Sequence, residues 1–266
     1  MTKNIGKKIK FLCITAALSL GATVTSNAQS LEDVLAGEHR SASNKSRDQF
    51  RHPAETLKFF GLKNNMTVVE IDAGGGWYQE VLAPYLNKNG NYISATAEKG
   101  TDRYKREKAR HEASPDLYSN VKMVPLSGDT YGEKESADMV LSFRNYHNWT
   151  GSSEFEKLRA MYNSLKPGGI LGMVDHRSDN ASDGGGYTCE PCMIKDAEAI
   201  GFEYVGTSQI NANPKDTKNY PGGVWNLPPT LSKDGLDEKM LNELQTNFNM
   251  IGESDRYTLK FVKPKS

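Results

Sequence analysis

Cysteine is scarce. The 266-residue chain has three, and Cys13 lies in an amino-terminal apolar stretch, which leaves only Cys189-Glu190-Pro191-Cys192. Two thiols are too few for a structural zinc, which wants four ligands. Charge of either sign is not in excess: 33 Lys and Arg balance 33 Asp and Glu. Long apolar runs are missing apart from Phe11–Val24, which is too short for a confident membrane span. There is no internal repeat and no long low-complexity tract, which favours one large domain. The glycine turn at 74–76 lacks two signatures. Gly74-Gly75-Gly76-Trp77-Tyr78-Gln79 has no glycine at the last place of G-x-G-x-x-G, and no Lys-Ser/Thr pair follows, so neither a dinucleotide fingerprint nor a P-loop is present.

What is present begins with a targeting segment. Lys3, Lys7, Lys8 and Lys10 precede the apolar stretch, and Ser26-Asn27-Ala28 supplies the small residues of a cleavage site, so residues 1–28 are expected to be a signal peptide cut near Ala28. A lipoprotein would carry its cysteine at the far end of the apolar region, whereas Cys13 stands near its start. Removing the segment takes four lysines and no acid, which moves the formal charge from 0 to −4. A mildly acidic mature protein disfavours nucleic acid as a partner. In an oxidising compartment such as the periplasm, Cys189 and Cys192 read most simply as a local disulfide, with a redox-active pair or a metal site as the other readings.

Thr67-Val68-Val69-Glu70-Ile71-Asp72-Ala73-Gly74-Gly75-Gly76 is an apolar β-branched run, an acid, and glycines that open a helical pattern. That is a strand, a tight turn and a helix start, a place where backbone N–H groups can approach a nucleotide-like ligand. Further strands are predicted at about 91–96, 121–124, 137–143 and 169–175, with helical patterns at about 77–87, 101–112 and 153–165. Such alternation means a parallel sheet with helices on both faces. A short helix over Lys195–Ile200 and two late strands, Phe202–Ser208 and Tyr257–Lys263, follow. Residues 29–61 read as a helical cap that ends at Gly61. Asn211–Leu236, rich in Asn, Pro and Gly but containing Trp225 and Leu227, reads as a packed lid inserted in a domain spanning 62–266.

The glycine turn, Gly128-Asp129 after a short apolar run, and Leu165-Lys166-Pro167-Gly168-Gly169 leading into Ile170–Val174 together resemble a class I S-adenosylmethionine (SAM)-dependent methyltransferase. Gly252-Glu253-Ser254-Asp255-Arg256 and Arg144-Asn145-Tyr146-His147-Asn148-Trp149 resemble more narrowly the exported bacterial "predicted methyltransferase" group. The resemblance covers about residues 45–264. It implies a doubly wound α/β fold, a Rossmann-like, mostly parallel seven-stranded sheet with an antiparallel carboxyl-terminal edge strand, and SAM as cofactor. It also implies that Glu70 and the Gly74, Gly75 and Gly76 turn belong to the cofactor site and that Asp129 reaches the adenine.

Two positions depart from that pattern. The family has glycine where this chain has Asp72, a carboxylate that would either bind the α-amino group of SAM or repel its carboxylate. An acid usually takes the ribose hydroxyls at the end of the second strand, where this chain has Thr96; Glu98, two residues on, is the replacement candidate. Arg144 and His147 follow the fourth strand, and Asp175 and His176 end the fifth, so they are expected at one mouth. Either histidine is a candidate general base, and either can be a hydrogen-bonded structural residue. No metal centre is expected. Trp77, Trp149 and Trp225 are expected at the cleft rim. The implied function is methyl transfer to a small molecule. Because SAM is made in the cytoplasm and the chain carries an export signal, the alternative is an exported ligand-binding module that keeps the fold without methyl transfer. No membrane-integral segment is expected, and the oligomeric state is open.

Overall fold

The computed structural model describes residues 1–2, 29–179 and 184–265. The expected signal peptide and its cleavage site therefore fall outside the described residues. The strands are β1 (Thr67–Ile71), β2 (Asn91–Thr96), β3 (Lys122–Pro125), β4 (Ala137–Phe143), β5 (Leu165–His176), β6 (Glu203–Ser208) and β7 (Arg256–Val262). The helices are α1 (Leu31–Ala36), α2 (Ala42–Lys45), α3 (Asp48–Arg51), α4 (Pro53–Phe60), α5 (Gln79–Leu86), α6 (Asp102–Ala113), α7 (Pro115–Tyr118), α8 (Glu154–Ser164), α9 (Glu190–Ile200) and α10 (Glu238–Ile251). Among the described residues no helix is long and apolar enough to cross a membrane.

The strands form one seven-stranded sheet in the order β3-β2-β1-β4-β5-β7-β6. β1 to β5 pair in parallel, and β7 lies antiparallel between β5 and β6. The order reverses between β1 and β4, which is where a doubly wound sheet opens a crevice beyond its carboxyl ends.

The period of two along each strand divides the core into two layers. Val69, Ile71, Val140, Leu171 and Met173 pack with Leu158, Met161, Met193 and Ala197 of α8 and α9. Val68, Met139, Leu141 and Val174 face the other way, onto Leu57, Phe60, Val81, Leu82 and Leu86 of α4 and α5. Leu57 and Phe60 are fully buried, each contributing roughly 1.5–3 kcal/mol by leaving water. α4 approaches β5 so closely that a Cβ on Gly172 would lie 2.8 Å from the Phe60 ring.

Local chemistry sets the helix ends. Ser30 and Asp33 form a capping box on α1, Pro53 opens α4, and Gly61 closes α4 at φ +85° with its N–H on the Leu57 and Lys58 carbonyls. Some elements differ from the sequence expectation. β5 begins at Leu165 rather than 169, through a register shift against β4. α9 begins at Glu190 rather than 195, because Pro191 sits in its first turn, where no N–H is needed, and Cys189 is its N-cap. α10 was not expected; its signal is Asp237, whose side chain caps the Met240 N–H, followed by apolar residues at 241, 244, 248 and 251.

Candidate functional site

The site grows from the end of β1. Asn145 donates from Nδ2 to the Ile71 and Asp72 carbonyls at 2.8 and 3.3 Å, fixing where the strand stops. The turn then places Asp72, Gly74 and Gly76 at φ +51°, +55° and +81°. Asp72 thus stands at a glycine position in conformation as well as in sequence; Asp is among the few side chains that tolerate it. Its carboxylate pairs with Arg103 of α6. Burial raises its pKa although Arg103 opposes the rise.

The glycines serve different purposes. A Cβ on Gly76 would meet the Arg110 Nε at 2.7 Å, whereas Gly74 and Gly75 have nothing within 4 Å and leave an open cradle. Beneath the loop Gln79 holds a buried polar network, donating to Glu107 at 2.6 Å and accepting from Arg110 at 2.6 Å.

A cavity of about 330 Å³ opens over this loop. Asp72, Ala73, Gly74 and Gly75 form one wall; Asn44, Arg47 and Trp77 form a second. Arg144, Asn145 and His147 beyond β4 meet His176 from the end of β5, and Val224, Trp225 and Thr230 of residues 211–236 also line it. The sequence candidates Asp72, Gly74, Gly75, Arg144, His147 and His176 therefore share one cavity. Gly76 lies behind the wall.

The remaining cofactor candidates do not line it. Glu70 is 2% exposed and accepts the Tyr92 hydroxyl at 2.6 Å within the sheet layer. Burial pushes its carboxyl up to about 8, against the hydrogen bond from Tyr92. Glu98 and Asp129 are exposed beyond the ends of the neighbouring strands β2 and β3, where Glu98 accepts from Ser127. Thr96 is 1% exposed, and its Oγ1 has no hydrogen-bond partner among the described residues. Of the tryptophans, Trp77 and Trp225 reach the cavity, but Trp149 does not: it is 5% exposed in the core beside α8.

His147 and Asp175 form the most specific pair. The fully buried Asp175 carboxylate accepts the His147 N–H at 3.0 Å, the His176 N–H at 2.8 Å, and the His147 Nδ1 at 2.9 Å. A carboxylate in this arrangement accepts, so Nδ1 carries a proton, and in the neutral ring the lone pair is then on Nε2. His176 is 6% exposed, with Nδ1 on the Ser254 hydroxyl. Burial, then the positive charges of Arg256 and Arg144, depress its pKa well below the usual value, so the ring is neutral. The possible ligand atoms of His147, Asp175 and His176 lie within 4.8 Å of one another. They are close enough to share an ion, yet Asp175 already spends its oxygens on ring and backbone donors.

Sequence reading missed a group of charges behind the cavity. Glu253 accepts from Arg47 Nε at 2.6 Å and Arg51 Nε at 3.0 Å, and pairs with Arg256. Its pKa reflects a contest: burial would raise it, but Arg256, Arg51, Arg144 and Arg47 hold it well below the usual carboxylate range. Arg47 and Arg51 lie 206 and 202 positions from Glu253, and only Gly252–Arg256 carried a signal, as part of the resemblance. Trp77 packs against Arg40 and Arg51, 5.2 and 4.7 Å from its ring. A larger cavity of about 570 Å³ between residues 215–221 and α10 includes no strand-end residue.

No family model matches the sequence, and the search of curated proteins gave no match. Solved structures share the fold. A SAM-dependent methyltransferase from Aquifex aeolicus aligns with a TM-score of 0.54 and 15% identity, over 82% of this chain and 93% of its own. A 1,6-didemethyltoxoflavin-N1-methyltransferase from Burkholderia thailandensis, bound to S-adenosylhomocysteine, aligns at 0.52 and 13%, over 88% and 87%. The [4+2]-cyclase SpnF aligns at 0.55 and 14%, over 89% and 92%. The scaffold is that of class I methyltransferases, and the cyclase carries the same scaffold under the name of another reaction.

Proposed function

We propose that this protein is a SAM-dependent methyltransferase that acts on a small-molecule acceptor outside the cytoplasm. One observation carries the reading: the Asp175–His147 pair opens onto the same cavity as the bare Gly74–Gly75 cradle. The open loop fits a cofactor, since a side chain at either glycine would fill the cradle. SAM, when bound, supplies a methyl group on a positively charged sulfonium. The backbone of Ala73–Gly75 would hold the amino-acid end of the cofactor, and Asp72 is the acid that would be available to its ammonium. Glu98 and Asp129, exposed beyond the ends of β2 and β3, are the side chains that would be available to the nucleoside.

His147 Nε2 takes the proton from the hydroxyl or amine of the acceptor, and Asp175 stabilises the imidazolium that forms. His176, kept neutral, takes no charge from that proton. Trp225 and its neighbours shield the reacting atoms from water. Export is supported by the basic, apolar amino terminus and by the Cys189–Cys192 disulfide that the structure contains.

Calorimetric titration with S-adenosylhomocysteine tests the reading. Wild type and His147→Ala are expected to bind it alike. In an acceptor screen with labelled SAM, His147→Ala is expected to lower turnover by about 10²–10⁴-fold. Absence of both heat and melting shift at millimolar nucleoside would sink the proposal.

A further inference from the structure

The charges behind the cavity do not balance. Arg47, Arg51, Arg144 and Arg256 converge on the single carboxylate of Glu253. Asp175 also acts on Arg144, but its oxygens are engaged by His147 and His176. Arg51 and Arg256 are 4% and 2% exposed. Arg47 Nη2, Arg51 Nη2 and Arg256 Nε are buried without a hydrogen-bond partner among the described residues. Unpaired buried guanidinium donors are costly, and a fold retains them where something else completes them.

The geometry says where that completion enters. Arg51, Arg144 and Arg256 line a small cavity with Asn211, whose Oδ1 is also unpartnered. At about 10 Å³ it has room for no more than a water. Arg144 and Phe143 line both this recess and the main cavity, and Arg47 lines the main cavity. Arg144 is held at φ +61° by its N–H on the Val174 carbonyl, in a conformation a side chain of its kind rarely adopts. Three residues on is His147, the proposed base.

We propose that Arg144 and Arg47 form an oxyanion subsite, so that the methyl acceptor carries a carboxylate or phosphate group which docks there and turns its nucleophile toward His147. Arg51 and Arg256 stand behind the subsite and supply its field, while Glu253 positions them. Guanidinium forks suit planar or tetrahedral oxyanions because they offer paired donors. The assignment to the acceptor rests on the methyl-transfer reading; the subsite itself rests on the charge imbalance.

The experiment titrates inorganic phosphate and, separately, benzoate into the purified protein by calorimetry, at ionic strength held constant with chloride. Each titration is repeated with saturating S-adenosylhomocysteine. Saturable binding of either anion is expected, undiminished by the nucleoside and weakened about tenfold or more in Arg144→Met, as for loss of a charge-assisted hydrogen bond. If Arg144→Met does not fold, Arg47→Met serves, because Glu253 keeps Arg51 and Arg256; the same weakening is expected. No saturable binding of either anion, with S-adenosylhomocysteine bound normally, overturns the subsite and leaves the methyl-transfer reading standing. Competition between anion and nucleoside overturns the acceptor assignment and gives the arginines to the cofactor carboxylate. Anion binding with no nucleoside binding overturns the methyl-transfer reading and, with it, the acceptor assignment.

Discussion

Two carboxylates flank the candidate site at equal burial and opposite fate. Glu70, under the glycine loop, and Glu253, behind the arginines, are each 2% exposed. Glu70 has a tyrosine hydroxyl for a partner and Glu107 nearby, and burial lifts its pKa to about 8. Glu253 has guanidinium groups on both oxygens and is held far below the ordinary range against the same desolvation. Burial thus fixes only what ionisation costs; the neighbours decide whether it happens. The loop side of the site is built on a protonated acid, and the opposite side on an ionised one that anchors the cap helices to β7.

The largest expected effect is therefore at Glu253. Replacing it with Gln strips Arg51 and Arg256 of their common partner, which for buried ion pairs costs about 3–5 kcal/mol. Chemical denaturation at neutral pH should show that loss; a change below about 1 kcal/mol would mean that water or another group already serves the arginines. The sign with pH follows from the lowered folded value. Stability from Glu253 is complete above the unfolded pKa of about 4.5 and is lost as pH falls below it toward the folded value.

Glu70 runs the other way. Its folded pKa of about 8 lies above the unfolded value, so its contribution is complete below about pH 4.5 and is lost as pH rises toward 8. Glu70→Gln keeps a hydrogen-bonding partner for Tyr92 and removes the proton linkage. The variant should match wild type near pH 4.5 and exceed it by about 4–5 kcal/mol near pH 8.5. Urea midpoints across that range decide it, and parallel curves for the two proteins would show that Glu70 ionises without penalty.

The contrast also marks what a single sequence can disclose. β1 and β4 were legible because Thr67–Ile71 and Ala137–Phe143 are apolar runs with turn chemistry after them. The switch between them locates the crevice in any doubly wound sheet. Arg144, His147 and His176 could be placed at its mouth because they end strands. The seven-strand order followed from resemblance, not from pattern. The pairing of Glu253 with Arg47 and Arg51 was illegible because it depends on the cap helices folding across β7, at separations of 206 and 202 residues. α9 was clipped because Pro191 reads as a breaker until it is known to occupy the first turn. Trp149 resembled a rim residue by its place after β4, but the short helix Tyr146–Asn148 turns the chain so that it packs beside α8.

The smallest expected effect is at Asp72, between the two regions. It lines the cavity, holds a left-handed conformation, and is paired with a half-exposed Arg103. Glycine in its place removes an ion pair screened by solvent and relaxes the backbone, so stability should move by less than about 1 kcal/mol. Ligand affinity is the informative quantity. If the carboxylate receives the cofactor ammonium, Asp72→Gly should weaken S-adenosylhomocysteine binding about tenfold, the value of one charge-assisted contact. Arg103→Gln should not weaken it, since it frees the same carboxylate. A gain in affinity for Asp72→Gly would show that the acid obstructs a site whose glycine it replaced. Unchanged affinity in both variants would place the pair outside the bound ligand and leave the cradle of Gly74 and Gly75 to hold the cofactor alone.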